Sequence, residues 1–336
     1  MKKISIIVPI YNVEAYVRDC FESLMQQDFD SYQVVAVNDG SIANEQPIID
    51  EYVKKYPDIF IGIQKENGGY GSVLELAINK IDTPYFIVCD PDDTLQPNAL
   101  SKLYNLAIQH DADIVVGCKS YIYHNNDRKD YHCVVNNAYL TLSDETIGLA
   151  NDASIEPFYF MDPSPHAKLY KTANALGCEF PKKIAYTDNL LYFYNLAKAK
   201  KVVYTSESLA NYLVDRPNNS MSDMKPRAID ANMQVINCIL QQCDKANSSN
   251  GLLAYRMYES FKWVISLINK TTQSKEDKIN QANSFAYIPV LFNQYNDFMT
   301  YYKKYNKSGF IERYRDKQIL KGNKKAYITY INKTIQ

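Results

Sequence analysis

The chain has 336 residues, 46% hydrophobic and 22% charged, a composition typical of a soluble globular protein long enough for two domains. We expect neither a membrane span nor a secretory leader, because the longest apolar runs are short and the first one, 4–8, leads directly into a proline. Seven cysteines without CxxC spacing favour reduced thiols and a cytoplasmic location.

Charge is unevenly distributed along the chain, although the net charge is only −1. Residues 223–336 carry 18 basic and 9 acidic side chains, whereas residues 1–222 carry 19 and 29. From residue 303 onward there are ten basic residues and two acids. This pattern indicates either a solvated basic face or a surface for an anionic partner, such as a membrane or a phosphate-bearing polymer. Nucleic acid is not expected as a partner.

Short apolar runs typical of buried strands alternate with segments of helical spacing through the first 120 residues. The predicted strands are 3–9, 33–38, 59–64, 85–89 and 113–118, and the predicted helices are 13–27, one ending near residue 55, one ending near residue 80 and one beginning near Pro97. Such alternation predicts an α/β fold with a mostly parallel central sheet covered on both faces. Ligands of such sheets bind outside the carboxyl ends of the strands.

The pattern changes in the second half of the chain. Residues 120–185 are less regular, and a helix then opens at 186–189. After it come predicted strands at 201–204 and 210–214, a polar loop at 215–222, and helices only, at 226–245, 251–269 and 284–306. We therefore predict two domains, 1–222 and an all-helical, basic 223–336.

Three carboxylates, Asp90, Asp92 and Asp93, follow the predicted strand at 85–89. Carboxylates this close repel one another unless a positive charge lies among them, and hard oxygen ligands suit Mg²⁺ or Mn²⁺. The alternative is that the acids cap the helix that begins near Pro97. Neither a GxGxxG motif nor a P-loop is present to neutralise a phosphate, which favours the metal.

Seven segments resemble, in order and approximate spacing, the motifs of the family 2 glycosyltransferases, inverting enzymes of the GT-A fold that use nucleotide-sugars. The segments are 5–12, 37–41, 66–69, 90–93, 166–171, 186–189 and 216–220. The resemblance covers about 1–222. It implies transfer of a hexose or N-acetylhexosamine from a UDP-sugar to a hydroxyl of a glycan, which could belong to an exopolysaccharide or capsule, a teichoic acid or a glycosylated adhesin.

The resemblance also implies roles for residues that would bind the donor. Pro9 and Tyr11 would line the nucleoside pocket, and Asp39 would accept a hydrogen bond from the base, as from uracil N3–H. Asn67 and Gly68 would let the backbone approach the ribose and diphosphate closely.

The remaining donor contacts come from the acidic motif and the 216–220 motif. Asp90 would contact the ribose or metal-bound water, and Asp92 would be the direct ligand of Mn²⁺ or Mg²⁺. The segment that includes Arg216, Asn219 and Ser220 would close over the diphosphate.

Asp188 occupies the position of the family's catalytic base, which would take the proton of the acceptor hydroxyl. A plain helix N-cap is the alternative for this residue, since it precedes an apolar-periodic run. His166 would contact the sugar or the acceptor, or would serve only in a turn.

Three departures from the family's pattern stand out. Thr187 replaces a common glutamate, Ile42 and Ala43 replace Thr-Asp, and the segment 69–72 replaces a pattern of small residues followed by Arg-Asn. These departures motivate an alternative function as a non-catalytic sugar-nucleotide-binding or interaction protein. A nucleotidyltransferase is disfavoured, because the first strand lacks a basic glycine-rich loop. The helical region would bind a lipid-linked or glycoprotein acceptor, lie on the inner membrane face, or form a homo-oligomer.

Overall fold

A computed structural model of the chain describes residues 1–123, 129–132, 142–214 and 225–336. The chain divides into two compact units, Met1–Asn219 and Ser220–Gln336. The domain boundary that we predict near residue 222 falls among residues outside the described ranges and stays a prediction.

The first unit combines a large sheet with helices. Its strands are β1 (Ile4–Ile10), β2 (Tyr32–Asn38), β3 (Phe60–Gln64), β4 (Tyr85–Val88), β5 (Thr94–Leu95), β6 (Ile114–Ile122), β7 (Lys129–His132), β8 (Ile147–Leu149), β9 (Lys168–Lys171) and β10 (Lys201–Leu213). Its helices are α1 (Glu14–Met25), α2 (Glu45–Lys55), α3 (Tyr70–Lys80), α4 (Ala99–His110), α5 (Glu156–Tyr159), α6 (Thr172–Ala175) and α7 (Thr187–Lys198). The N-terminal elements match the predicted order of strands and helices.

The sheet has the strand order β3-β2-β1-β4-β9-β6-β10-β5, with β7 paired to β6 and β8 paired to β10. Strands β3, β2, β1 and β4 are parallel, as are β6 and β10, while β9 runs antiparallel between β4 and β6. The prediction of an α/β fold with a mostly parallel central sheet is confirmed. The carboxyl ends of β1 to β4 therefore lie along one edge.

The central strands form because both of their faces are covered. All seven residues of β1 are buried, which explains a continuous apolar run in place of alternation. Helix α1 buries Val17, Cys20, Phe21 and Leu24 against the sheet. The ring of Phe21 packs edge-on against Phe60, with 4.9 Å between ring centroids. This packing holds α1 against the sheet whose carboxyl ends carry the candidate site.

Two predicted strands near the end of the first unit are one element. The predicted pair 201–204 and 210–214 is the single strand β10, in which register shifts relative to β6 occur between Tyr204 and Ser208 and again before Ala210. The polar residues at these irregularities interrupt the apolar pattern without ending the strand.

The described part of the second unit consists of helices joined by turns. The helices are α8 (Pro226–Lys245), α9 (Gly251–Leu267), α10 (Lys275–Ser284), α11 (Ile288–Phe292), α12 (Phe298–Tyr305), α13 (Phe310–Leu320) and α14 (Lys324–Thr334). The predicted helix 284–306 is wrong, because Pro289 starts a new helix and the polar stretch 293–297 separates α11 from α12. No helix within the described ranges is both long and apolar enough to cross a bilayer.

The loop between β3 and α3 contains a glycine that no other residue could replace without strain. Gly69 has φ +85°, and a Cβ there would lie 2.8 Å from the backbone nitrogen of Lys183. The same Lys183 N–H donates to the carbonyl oxygen of Gly68 over 2.7 Å. The loop between β3 and α3, called the glycine loop below, therefore packs against the chain segment that leads into α7.

A second close approach joins α3 to the start of α7. A Cβ on Gly71 would lie 2.9 Å from Cβ of Phe180 and 3.0 Å from Oγ1 of Thr187, which is fully buried. Gly71, within the segment 69–72 that departs from the family pattern, therefore packs against Thr187, which is another departure from that pattern.

We predict that Gly69→Ala lowers the free energy of unfolding by about 1–3 kcal/mol, because the new methyl group meets backbone at a strained φ. Thermal unfolding followed by circular dichroism measures the effect. Gly309→Ala is the matched control, since Gly309 has φ −66° and open space where its Cβ would lie. Equal melting temperatures for the two variants would contradict the docking described above.

Candidate active site

Residues predicted to bind the donor meet at the edge formed by the carboxyl ends of β1 to β4. Pro9 is buried within β1, and Tyr11 follows that strand with about half of its surface exposed. Asp39 follows β2, and Asp90 lies just beyond β4. The sequence thus correctly placed these side chains at one edge, while their ligand contacts stay predictions.

Asp39 is buried and organises the glycine loop. Its Oδ1 accepts hydrogen bonds from the backbone N–H of Gly68 at 3.0 Å and from Nζ of Lys65 at 2.5 Å. Its Oδ2 accepts from the N–H of Gly69 at 2.8 Å, and Asn67 Nδ2 donates to its carbonyl oxygen at 3.0 Å. The carboxylate therefore fixes the loop that would face a bound nucleotide, a role that the sequence did not reveal.

The acidic turn, residues 90–93, does not cap a helix. Helix α4 begins at Ala99, and Asp93 directs its carboxylate elsewhere: Oδ1 accepts from the N–H of Leu213 at 2.8 Å and Oδ2 lies 2.7 Å from Nε2 of His166. Asp90 Oδ1 accepts a hydrogen bond from Oη of Tyr70 at 2.8 Å. The capping alternative for these acids is wrong.

Asp90 lies in an electrostatically unfavourable position for an anion. Burial, followed by the charges of Asp93 and Asp92, raises the pKa of Asp90 well above its ordinary value. The hydrogen bond from Tyr70 acts in the opposite direction. A divalent cation at this turn would relieve the repulsion, so the donor set fits a hard metal ion.

His166 is buried between the carboxylate of Asp93 and the ammonium group of Lys119. Its Nδ1 lies 3.3 Å from Nζ of Lys119, which can only donate, so Nδ1 accepts and Nε2–H donates to Asp93. Burial and the Lys119 charge lower the pKa of His166 well below its ordinary value, which keeps the ring neutral.

Asp90, Asp93 and His166 each offer one ligand atom, and these atoms lie within 4.8 Å of one another. In this arrangement both oxygens of Asp93 and both nitrogens of His166 are engaged by the contacts described above. The nearby Lys119 ammonium also opposes a cation on the imidazole side. The carboxylates of the turn, including the partly buried Asp92, therefore fit a metal better than the imidazole does.

A buried group of charges that the sequence analysis did not identify lies behind this turn. Lys119 on β6 and Lys168 on β9 are almost completely buried. Nζ of Lys119 lies 2.9 Å from Oδ2 of Asp162 and donates to Oγ of Ser164 at 2.8 Å. Nζ of Lys168 donates to the carbonyl oxygen of Ser164 at 2.5 Å.

The two ammonium groups and Asp162 stabilise each other's charge. Burial alone would raise the pKa of Asp162, but Lys119 and Lys168 outweigh it and hold this pKa well below the ordinary value. Burial lowers the pKa of Lys168 to about 8, although Asp162 opposes the shift. The available signal was Lys119 inside the mostly apolar run of β6, because a buried lysine needs a buried counter-charge. Strand β9 has a lysine at each end and gave no such signal.

Asp188 lies in the first turn of α7, one residue inside the helix. The N-cap position belongs to Tyr186, which has φ 65°, so the prediction that Asp188 is a plain N-cap is wrong. Lys168 packs below this turn, with Nζ 5.5 Å from the ring centroid of Tyr192 on the same helix.

The environment of Asp188 weakens its acidity. Burial raises the pKa of Asp188 to about 6, and the charge of Asp162 adds to the shift. The backbone N–H groups of Asp188 and Asn189, and then Lys168, act against it. A carboxylate with this pKa is ionised at neutral pH yet binds a proton more readily than an ordinary aspartate does.

Three predicted donor contacts, Arg216, Asn219 and Ser220, lie outside the described residues.

The sequence analysis did not identify five residues of the site, which are Tyr70, Asp93, Lys119, Asp162 and Lys168. Tyr70 lies 20 residues from Asp90, and Lys119 lies 45 residues from Ser164, which explains why spacing alone did not identify these contacts.

Comparison with known proteins supports the resemblance in sequence. The family model described as "Glycosyl transferase family 2" matches residues 5–161. Glycosyltransferase GlyA of Streptococcus pneumoniae is 24% identical over 311 residues, which are 85% of this chain but only 44% of GlyA. The chain therefore spans less than half the length of that relative.

Two further proteins complete the comparison. The "uncharacterized glycosyltransferase MG060 homolog" of Mycoplasma pneumoniae is 31% identical over 229 residues, 66% of this chain and 71% of that protein. The crystal structure of S. aureus TarS residues 1–349 in complex with UDP-GlcNAc superposes with a TM-score of 0.70 at 20% identity, covering 98% of this chain and 90% of that chain. On these grounds the chain belongs to glycosyltransferase family 2 and has the GT-A fold.

Proposed function

We propose that this enzyme transfers a hexose or N-acetylhexosamine from a UDP-sugar to a hydroxyl of a glycan acceptor, with inversion at the anomeric carbon. The observation that carries the proposal is Asp188, whose carboxylate is held at the N-terminal turn of α7 with a pKa of about 6. Its electrostatic interactions with Asp90 and Tyr70 indicate that it is near the acidic turn.

Asp188 acts as the general base in this proposal. It takes the proton of the acceptor hydroxyl while that oxygen attacks the anomeric carbon from the face opposite the diphosphate. The bond between the anomeric carbon and the phosphate oxygen breaks, its electron pair leaves with UDP, and a glycosidic bond forms. The products are the extended glycan and UDP, and the proton resides on Asp188 until solvent removes it.

The acidic turn would hold a divalent cation, Mn²⁺ or Mg²⁺. On the evidence of the motif at 90–93, we assign Asp92 as the direct ligand and Asp90 to the ribose or to metal-bound water. Asp93 has a structural role in this proposal, since its two oxygens contact Leu213 and His166. When bound, such an ion offsets negative charge on the diphosphate leaving group. Tyr70, by donating to Asp90, orients one carboxylate of this turn.

The donor would lie along the edge of β1 to β4. Pro9 and Tyr11 would contact the nucleoside, Asp39 the base, and Asn67 and Gly68 the ribose and diphosphate. Support comes from the positions of these residues at one strand edge and from TarS, whose crystal structure contains UDP-GlcNAc. Arg216, Asn219 and Ser220 remain proposed diphosphate contacts on the evidence of their motif alone.

We also propose a cytoplasmic location and an acceptor that is lipid-linked or carried by a glycoprotein. The uneven charge of the chain supports an anionic acceptor or surface near the second unit. A homo-oligomer remains a further proposal, which the oligomeric state in solution would test.

The base role predicts that Asp188→Asn lowers kcat by about 10²–10⁴-fold while UDP with Mn²⁺ still raises the melting temperature. Transfer to water or to a glycan is measured as UDP release from UDP-sugars. Asp58→Asn, at an exposed loop position, is the control and should retain full activity. A wild-type protein that binds UDP but releases none from any UDP-sugar would favour the non-catalytic alternative.

The pH dependence follows from the same carboxyl group. Because the ionised form accepts the proton, kcat should be level above a pH of about 6 and fall by about tenfold for each pH unit below it. A pH–rate profile under saturating donor and acceptor measures this limb. An acid limb centred near the ordinary aspartate value would contradict the assigned environment of Asp188.

Substitution of Asp188 by asparagine should raise the stability of the protein, although it lowers the activity. Since the folded protein raises the pKa of Asp188 to about 6, ionisation of this group destabilises the fold as pH rises past the unfolded value and through about 6. Asp188→Asn should therefore stabilise the protein by about 1–2 kcal/mol at neutral pH, and by little at acidic pH.

Thermal unfolding at the two pH values checks this expectation. A residue whose role is only to cap a helix would lose about 1 kcal/mol on substitution by alanine but little on substitution by asparagine, which caps a helix equally well. An unchanged or lower melting temperature for Asp188→Asn at neutral pH would therefore count against the functional assignment.

A further inference from the structure

Helix α13 exposes three large side chains that a water-soluble surface does not require. Phe310, Ile311 and Tyr314 are 79%, 81% and 61% exposed. They occupy the first turns of the helix, whereas Asp316, Ile319 and Leu320 face the interior of the second unit. These three residues therefore form an exposed apolar patch on the surface of that unit and are not part of its core.

Basic residues share this outward face. Lys317 and Lys321 follow Phe310 and Tyr314 at helical spacings of three, seven and eleven, which places them on the same side of α13. Arg313 is also exposed, as are the lysines on and just after α12. Those lysines are Lys303, Lys304 and Lys307.

Each of the two acids of this region has a partner within the protein. Asp316 is only 1% exposed, with Oδ2 3.3 Å from Nζ of Lys262 and Oδ1 3.7 Å from Arg315. Glu312 accepts a hydrogen bond from the backbone N–H of Gly309 at the start of α13. The outward charge of the face is therefore positive.

We infer that this face, defined by Phe310, Ile311 and Tyr314 and the basic residues around them, docks on an anionic lipid bilayer. Aromatic and aliphatic tips among lysines and arginines match a membrane interface, where apolar atoms enter the acyl boundary and cations meet lipid phosphates. An anionic polymer would need the positive charge but not the exposed isoleucine and phenylalanine. A protein partner would need the apolar group but not so large an excess of one charge.

The inference is independent of the proposed transfer reaction, because binding to vesicles requires neither donor nor acceptor. The test is flotation of the full chain with vesicles of phosphatidylcholine alone or mixed with phosphatidylglycerol. We expect binding to the mixed vesicles only, and weaker binding at high salt because salt screens the lysines and arginines.

Two variants separate the contributions to binding. Phe310→Ser with Ile311→Ser should lower the partition coefficient at least about tenfold. Lys317→Gln with Lys321→Gln should weaken binding and reduce its salt dependence. Ile108→Ser removes an exposed isoleucine from α4 in the first unit and is the matched control, which should bind like the wild type. Circular dichroism should show equal melting for all four proteins.

Several outcomes would overturn the inference. These are no binding of the wild type to anionic vesicles, equal binding to neutral vesicles, or unchanged binding of the Phe310→Ser, Ile311→Ser variant. A wild-type oligomer that this variant converts to a monomer, measured by light scattering, would instead assign the face to contact between copies of the chain.

Discussion

The site depends on the concentration of carboxylates at one end of a buried sheet. Asp162 stabilises the two buried ammonium groups, and it keeps its own charge because both lie close to it. For Asp90 and Asp188 no salt bridge is seen among the described residues, and burial raises the pKa of each, although Lys168 opposes the shift at Asp188. The first environment is compatible with a place beside a metal ion and the second with a proton acceptor, so one electrostatic constraint accounts for both proposed roles.

Backbone packing holds the segments that carry these two residues against each other. The glycine loop is held by Asp39 on one side and by the backbone of Lys183 on the other. Helix α3, which begins at the end of that loop, carries Tyr70 to Asp90 and places Gly71 against Thr187. The loop expected to meet the donor and the helix that carries the proposed base are therefore parts of one packed assembly within the first unit.

The sequence was most informative where local pattern determines structure. Continuous apolar runs predicted β1, β2 and β4, and motif order predicted that Asp39 and Asp90 would lie at strand ends. It failed where pairing with another strand decides the outcome, as for β10, which continues through two register shifts relative to β6. It also could not reveal that Lys119 and Lys168 share Asp162, because that pairing depends on strand order in the folded sheet.

The ionisation of Asp188 provides the most direct test of the account, and it can be measured without any substrate. Carbon-13 NMR of the protein labelled at aspartate carboxyl carbons, with Asp188→Asn used to assign the resonance, reports the pKa of this group. The account predicts titration at about 6. Titration near the ordinary aspartate value of about 4 would contradict it, because the carboxylate would then be a poor proton acceptor in the proposed site.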